Sequence, residues 1–420
     1  MRLLLLLSGS ALLCNGAAIV AFASQQFSHQ RNVLPGGRAA MLGGAYTALA
    51  DDPSGSFYNP AGLSFARNDE IALSGNAYHT STTTYERAVN GENFVENSSS
   101  LYPSFVGSNY RWRAVTFGYS YMTLDSRNVN QDHNFTDLST EENGLNTYTR
   151  TNQETGNNLI AGGSAALALG DTLSVGTSLF YSRRTVESTT HQMTQANGGG
   201  LLVSDFKYQT RNEGIMPVLG TILRGKTASI GLSARIPQSM SDHTTVSADT
   251  VLWTPPADGQ AAEEPDVTSF AGTVDVQKEP NPETWQLGLA WFPGPAFLAT
   301  GDILFHRGVE ASRGILQLED TFNWSVGLES RLSAIVFRAG AFSNNSMFRK
   351  PSAGGTDQPT WINFLGTSAG IGYVQRERES SIGFVHQAGR GKSQIVAASE
   401  DIQDVETTST TWMLSSRVFF

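Results

Sequence analysis

Cysteine is nearly missing from this chain: 420 residues contain one, Cys14. With no second thiol there is no intrachain disulfide, and a site built from several cysteine ligands is excluded. Long apolar runs are scarce too. The longest, residues 3–13, is roughly half of the ~20 residues a membrane-spanning helix needs, so no helical span is expected. Charged residues make up only 16% of the chain, with 38 acidic against 28 basic. The net charge of −10, one unit more negative once Arg2 is gone, argues against a nucleic-acid partner. The seven histidines contain no His-x-x-x-His pair. His133, His191 and His243 read as solvated loop residues, and no metal site or cofactor is expected.

What the first 23 residues do have is Arg2, the apolar run and Ala21-Phe22-Ala23, a small-x-small cleavage site. Residues 1–23 read as a signal peptide, which implies export across an inner membrane. Cys14 also raises a lipoprotein reading. Leu13 stands where lipoprotein processing needs a small residue, and the site after Ala23 is better formed.

Residues 35–65, PGGRAAMLGGAYTALADDPSGSFYNPAGLSF, form a Gly/Ala-rich stretch unlike anything after it. Gly36, Gly37, Gly43 and Gly44 loosen the backbone, while Pro53 and Pro60 remove ladder donors. Tight turns and short helices are expected rather than strand. Residues 24–68 are assigned to this N-terminal insert, the natural plug if the remaining chain closes into a barrel.

From residue 69 to 420 the dominant period is two. Val115, Phe117, Tyr119 and Tyr121 share one face while Thr116, Gly118 and Ser120 share the other, and Trp285, Leu287, Leu289 and Trp291 repeat the pattern. Short turns are expected at Gly170-Asp171, Gly225-Lys226, Pro293-Gly294-Pro295 and Arg331-Leu332-Ser333. Long polar loops are expected over about residues 81–101, 125–157, 238–282, 344–359 and 389–408, with acidic surplus at Glu141, Glu142, Asp258, Glu263, Glu264 and Asp266. Short turns alternating with long loops suit a barrel spanning an outer membrane. Tyr181, Trp253, Trp285, Trp291, Trp324 and Trp412 fall near expected strand ends, where interfacial girdles belong. The chain closes on Phe420, an aromatic ending of the kind that barrel-insertion machinery reads. The fold class is all-β: a closed transmembrane antiparallel β-barrel with a lumenal hatch. Between 14 and 16 strands are counted, and 14 is taken.

The whole mature chain resembles the long-chain fatty acid transporter family of Gram-negative outer membranes, the FadL-like group that includes channels for toluene and related hydrocarbons. The resemblance is carried by four ordered elements: Gly37-Arg38-Ala39, Gly43-Gly44-Ala45, Asp51-Asp52 and Asn59-Pro60-Ala61. Weaker echoes lie at 228–237, 285–291 and 336–345. Residues 24–31 depart from the family's N-terminus, and the 238–282 stretch is unusually acidic. The resemblance implies a non-enzymatic outer-membrane channel for passive uptake of a hydrophobic small molecule, a fatty acid or hydrocarbon. An apolar pocket would capture the ligand and a movable hatch would release it sideways into lipid. Outer-membrane lipid and lipopolysaccharide would surround the wall. A related hatch occurs in barrels that tether or shuttle secreted proteins at the cell surface, which is the alternative.

On this reading Phe57, Tyr58, Asn59, Pro60 and Ala61, with Phe27 near the free N-terminus, are the ligand-binding or gating residues. Asp51 and Asp52 are the plug anchors, with a wall arginine such as Arg338 as their partner. Gly366-Thr-Ser368-Ala-Gly370 matches a hydrolase nucleophile elbow in spelling, but it falls within an alternating strand where a strand-to-helix turn is required. Gly391-Lys392-Ser393 lacks the upstream glycine of a phosphate loop, having His386 there.

Overall fold

The period-two pattern is realised in sixteen strands: β1 (Glu70–Val89), β2 (Glu92–Trp112), β3 (Val115–Phe135), β4 (Leu145–Leu169), β5 (Leu173–Ala196), β6 (Leu201–Arg224), β7 (Ala228–Arg235), β8 (Gln238–Trp253), β9 (Asp266–Val274), β10 (Thr284–Gly294), β11 (Phe297–His306), β12 (Thr321–Leu332), β13 (Ile335–Asn344), β14 (Trp361–Val374), β15 (Arg378–Ser393) and β16 (Gln403–Phe419). The computed structural model describes residues 29–67, 69–89, 91–136, 145–196, 199–256, 264–274, 282–310, 317–355, 358–394 and 401–420. The expected signal segment with Cys14, the candidate Phe27, and Glu141, Glu142, Asp258 and Glu263 lie outside them.

Strands β1–β7 and β10–β16 close an antiparallel ring of fourteen, sealed where Glu70 of β1 pairs with Phe419 of β16. The expected short turns all lie at the end of the barrel that also holds Glu70 and Phe419. Between β12 and β13 the chain reverses through Ser333 at φ 57°, and between β4 and β5 through Gly170 at φ 77°.

Outward positions carry Ile71, Leu73, Leu179, Leu287, Val326 and Ile371, each 42% exposed or more. Their inward neighbours are mostly small, among them Ala72, Ser74, Ser178, Gly288 and Ser325, with Glu70, Phe180 and Gln286 as larger members, and this division suits a lipid-facing wall. Tyr181, Trp285, Trp291, Trp324 and Trp412 point outward with them. Trp253 instead ends β8 opposite Leu201, beyond the polar stretch of β6 that contains Lys207 and Arg211.

The long polar loops are a point of correction. Most of 81–101 and 125–157, and the ends of 389–408, are strand, because the Thr- and Ser-rich chain continues the ladder above the lipid band with polar residues on both faces. The 238–282 tract contains β8 and β9. Strand β6 is taller than β7, so Val218–Arg224 pair with β7 while Leu201–Ile215 pair with β8 after the break at Pro237. Strand β9 then pairs with β8 outside the ring of fourteen.

The insert forms α1 (Gly37–Met41), α2 (Gly55–Tyr58) and a 3-10 helix (Pro60–Phe65). These elements lie within the ring, where Ala39, Leu42, Tyr46, Ala50 and Ala61 share one buried cluster with Phe105, Phe180 and Ile222 of the wall.

A candidate ligand site in the barrel lumen

The lumenal segment is held mainly through its backbone, and the wall's inward serines do the holding. Ser74 accepts from the Gly37 amide at 2.8 Å, while Ser174, Ser178 and Ser229 donate to the carbonyls of Ala61, Ser56 and Ala48 at 2.6–2.7 Å. Ser368, the centre of the elbow look-alike, lies mid-strand and donates to the Met41 carbonyl at 3.0 Å. Such contacts need close approach. A Cβ on Gly340 would stand 2.3 Å from the Gly43 nitrogen, so only glycine fits there. Asp302 adds a peg, its Oδ2 accepting from the Tyr46 and Thr47 amides at 2.9 Å each.

At the short-turn end the segment meets a layer of charge. Arg38 bonds Glu329 through two nitrogens, at 2.8 and 3.1 Å, and Asp51 at 2.8 Å. Asp51 also faces Arg224 at 3.9 Å, and Asp52 faces Arg417 at 4.0 Å. Burial alone would raise the Asp51 carboxyl, but Arg38, Arg224 and Arg417 outweigh it and hold it below the usual range. The expected partner Arg338 is engaged elsewhere, with Glu329 at 2.7 Å and Glu379 at 2.6 Å. Arg417 continues the layer to Glu70 at 2.8 Å. The layer sets four arginines against five carboxylates across the insert and β1, β6, β12, β13, β15 and β16.

The sequence-predicted contact residues are brought together, but in packing. Phe57 lies under the Arg235 guanidinium at 4.3 Å and edge-on to Tyr58 at 5.3 Å. The Tyr58 hydroxyl is buried and has no hydrogen-bond partner among the described residues. Asn59 is fully buried: its Nδ2 donates to the carbonyls of Thr47, Thr221 and Leu232, and its Oδ1 accepts from Ala61, capping the 3-10 helix. Pro60 supplies the first position of that helix, where no donor is needed. None of these five residues borders the cavity that follows.

That cavity, of about 150 Å³, lies farther from the short-turn end. Its floor is the chain ahead of α1, with His29, Asn32 and Val33, and its walls include Tyr85, Tyr102 and Phe364. His29 donates from Nε2 to the Ile362 carbonyl at 2.8 Å. Burial pulls its pKa down to about 4, which the bond to Ile362 only partly offsets, so the ring is neutral at pH 7. From Tyr85 a row of rings runs toward the tall end of the wall: Phe94, His133, Phe135 and Tyr148, with neighbouring centroids 4.1–6.3 Å apart.

Beside the cavity the wall is split. Strands β2 and β3 pair at Ser98–Val129 and again from Phe105–Met122, with no ladder pairs between them, although Thr123 Oγ1 donates to the Pro103 carbonyl at 2.9 Å at one end of the gap. Pro103 removes a ladder donor there, and β3 bulges between Thr123 and Asp125. Ser126 and Arg127, at the split, border both the cavity and a more open cleft that includes Ser100 and the exposed Leu101. The sequence reading missed His29, Tyr85 and the split; Pro103 inside a strand is the one local signal that marked it.

No family model and no curated protein matches the chain. Solved structures do. A FadL homologue of Pseudomonas aeruginosa is 12% identical with a TM-score of 0.60, covering 94% of this chain and 100% of its own. The toluene transporter TodX of P. putida is 13% identical with a TM-score of 0.64, covering 92% and 99%. The CymD monoaromatic hydrocarbon channel is 16% identical with a TM-score of 0.53, covering 93% and 98%. The chain therefore has the fold shared by the FadL homologue and these hydrocarbon channels.

Proposed function

We propose that this protein is a channel of a Gram-negative outer membrane for passive uptake of hydrophobic compounds, with residues 24–68 as a hatch and 69–420 as the barrel. An apolar solute gains nothing from a water-filled pore; it needs a lumenal pocket and a way into lipid. The observation that carries this reading is the split between β2 and β3, which adjoins both the cavity and the cleft at Leu101. The charged layer around Arg38 and Glu329 supports it from the other side, since a seal at the short-turn end leaves the wall as the exit. The hatch then has two tasks: it closes the barrel to water, and its leading residues shape the pocket. Phe57 to Ala61 serve as the clasp whose release lets the hatch shift, and Asp51 and Asp52 anchor it.

The test is uptake of radiolabelled toluene, phenol and oleate by intact cells with and without the protein. Leu101→Cys with Ser126→Cys, bridged across the split by a bifunctional thiol reagent, should abolish the gain. Undiminished uptake in bridged cells removes the sideways exit, and no gain from expression removes the channel.

A further inference from the structure

We propose that the cavity behind the split receives a neutral single-ring aromatic compound bearing a hydrogen-bonding group, phenol in the simplest case, in preference to a fatty acid or a bare hydrocarbon. The inference rests on the channel reading and narrows its ligand. Size comes first. At about 150 Å³ the cavity matches the roughly 150 Å³ space that takes up benzene in an engineered protein core, and it is too small to enclose a long acyl chain whole.

Shape is the second argument. His29 stands edge-on to Phe364 at 5.0 Å and His79 edge-on to Tyr102 at 6.4 Å, so two ring pairs border the space. A flat guest offers such pairs both faces and edges, the arrangements aromatic quadrupoles favour. The row from Tyr85 to Tyr148 extends the same surface toward the tall end of the barrel.

Polarity and charge decide the rest. Asn32, Ser81, Thr83 and Gln387 also border the cavity. Thr83 accepts from Thr407 at 3.0 Å and Gln387 from Asn344 at 3.5 Å, which leaves the Thr83 hydroxyl proton and the Gln387 amide group as bonding capacity that a hydrocarbon cannot use and a polar guest can. A carboxylate fares no better. The lining carboxylates are Glu96 and Asp125, and the one lining guanidinium, Arg127, is already shared by Glu96 at 3.2 Å and Glu154 at 3.0 Å. Arg184 also faces Asp125, so an anion meets no unpaired cation among the described lining residues. A phenol keeps its proton at pH 7, as a tyrosine does, and can both donate and accept.

Equilibrium binding to the full-length protein in lipid nanodiscs, corrected with empty discs, tests this with phenol, toluene, benzoate and palmitate. Phenol should saturate one site and bind about tenfold more tightly than toluene or benzoate, the gain expected of one net hydrogen bond. Palmitate should not compete. In the paired variant Thr83→Val with Gln387→Leu, phenol should lose its advantage over toluene, and if that variant fails to fold, the ranking of the four probes on the parent decides. Toluene or palmitate binding most tightly overturns the inference and leaves the channel standing; no saturable binding by any probe overturns both.

Discussion

Arg38 of α1 and Glu329 of β12 form a two-pronged ion pair, Nε to Oε2 at 2.8 Å and Nη2 to Oε1 at 3.1 Å. It joins the lumenal segment to the wall across 291 positions of sequence. Planar guanidinium matches planar carboxylate here, so lysine is no substitute.

Glu329→Gln should destabilise the protein by about 2 kcal/mol in equilibrium unfolding in detergent, less than the roughly 3–5 kcal/mol of a stranded buried charge. The reason is that each arginine keeps one carboxylate, Asp51 for Arg38 and Glu379 for Arg338. Arg38→Lys should raise ion conductance in planar bilayers by loosening the seal. A variant as tight to ions as the parent would show that the charged layer does not close the barrel.

Asn59→Asp should cost more than Asn59→Ala. Alanine forfeits the cap and the bonds of one amide, about 1–3 kcal/mol. Aspartate also turns an oxygen toward the carbonyls of Thr47, Thr221 and Leu232, where a donor is needed. Thermal unfolding of the two variants side by side gives the order, and the reverse order removes the clasp.

Gly340→Ala should displace the turn after α1 without opening the barrel. The added methyl would meet backbone atoms of Leu42 and Gly43 at 2.3–2.4 Å, and neither can rotate away. Faster exchange of the Gly43 amide is expected, with the strand amides of β12 unchanged; an unchanged Gly43 would mean that the contact is slack.

Docking of the chain ahead of α1 should weaken in acid. His29 titrates at about 4 when docked and near 6.5 when released, so the released form takes up the proton first as pH falls. Docking is at full strength above pH 6.5 and loses up to about 1.4 kcal/mol per pH unit between 6.5 and 4. Amide exchange across residues 30–34 measures it, and His29→Asn should flatten the profile. A parent profile already flat over that window contradicts the burial of a neutral ring.

How much of this was legible in the sequence depends on the range of the interaction. The closed barrel and its outward face were, because side chains alternate with a period of two by covalent geometry, and a run such as Trp285 to Trp291 declares its oily side without help from neighbours. The oddity of residues 35–65 was legible for the same local reason, since glycine and proline restrict their own backbones. The tall strands over 81–101 and 125–157 were not: polar residues dominate both faces, so the alternation is faint, and cross-strand pairing together with the cluster of Tyr85, Phe94 and Phe135 keeps them extended.

Partners were decided only by tertiary structure. Which arginine meets Asp51 or Asp52 depends on the register of strands hundreds of residues apart, which put Arg224 and Arg417 near them and gave Arg338 to Glu329 and Glu379. The cavity is a still clearer case. His29 and Ile362 are separated by 333 positions, and closing the ring is what sets them, with Tyr85 and Phe364, around one space. Local chemistry chose the cylinder and its oily side; the stagger of its strands chose what the interior can hold.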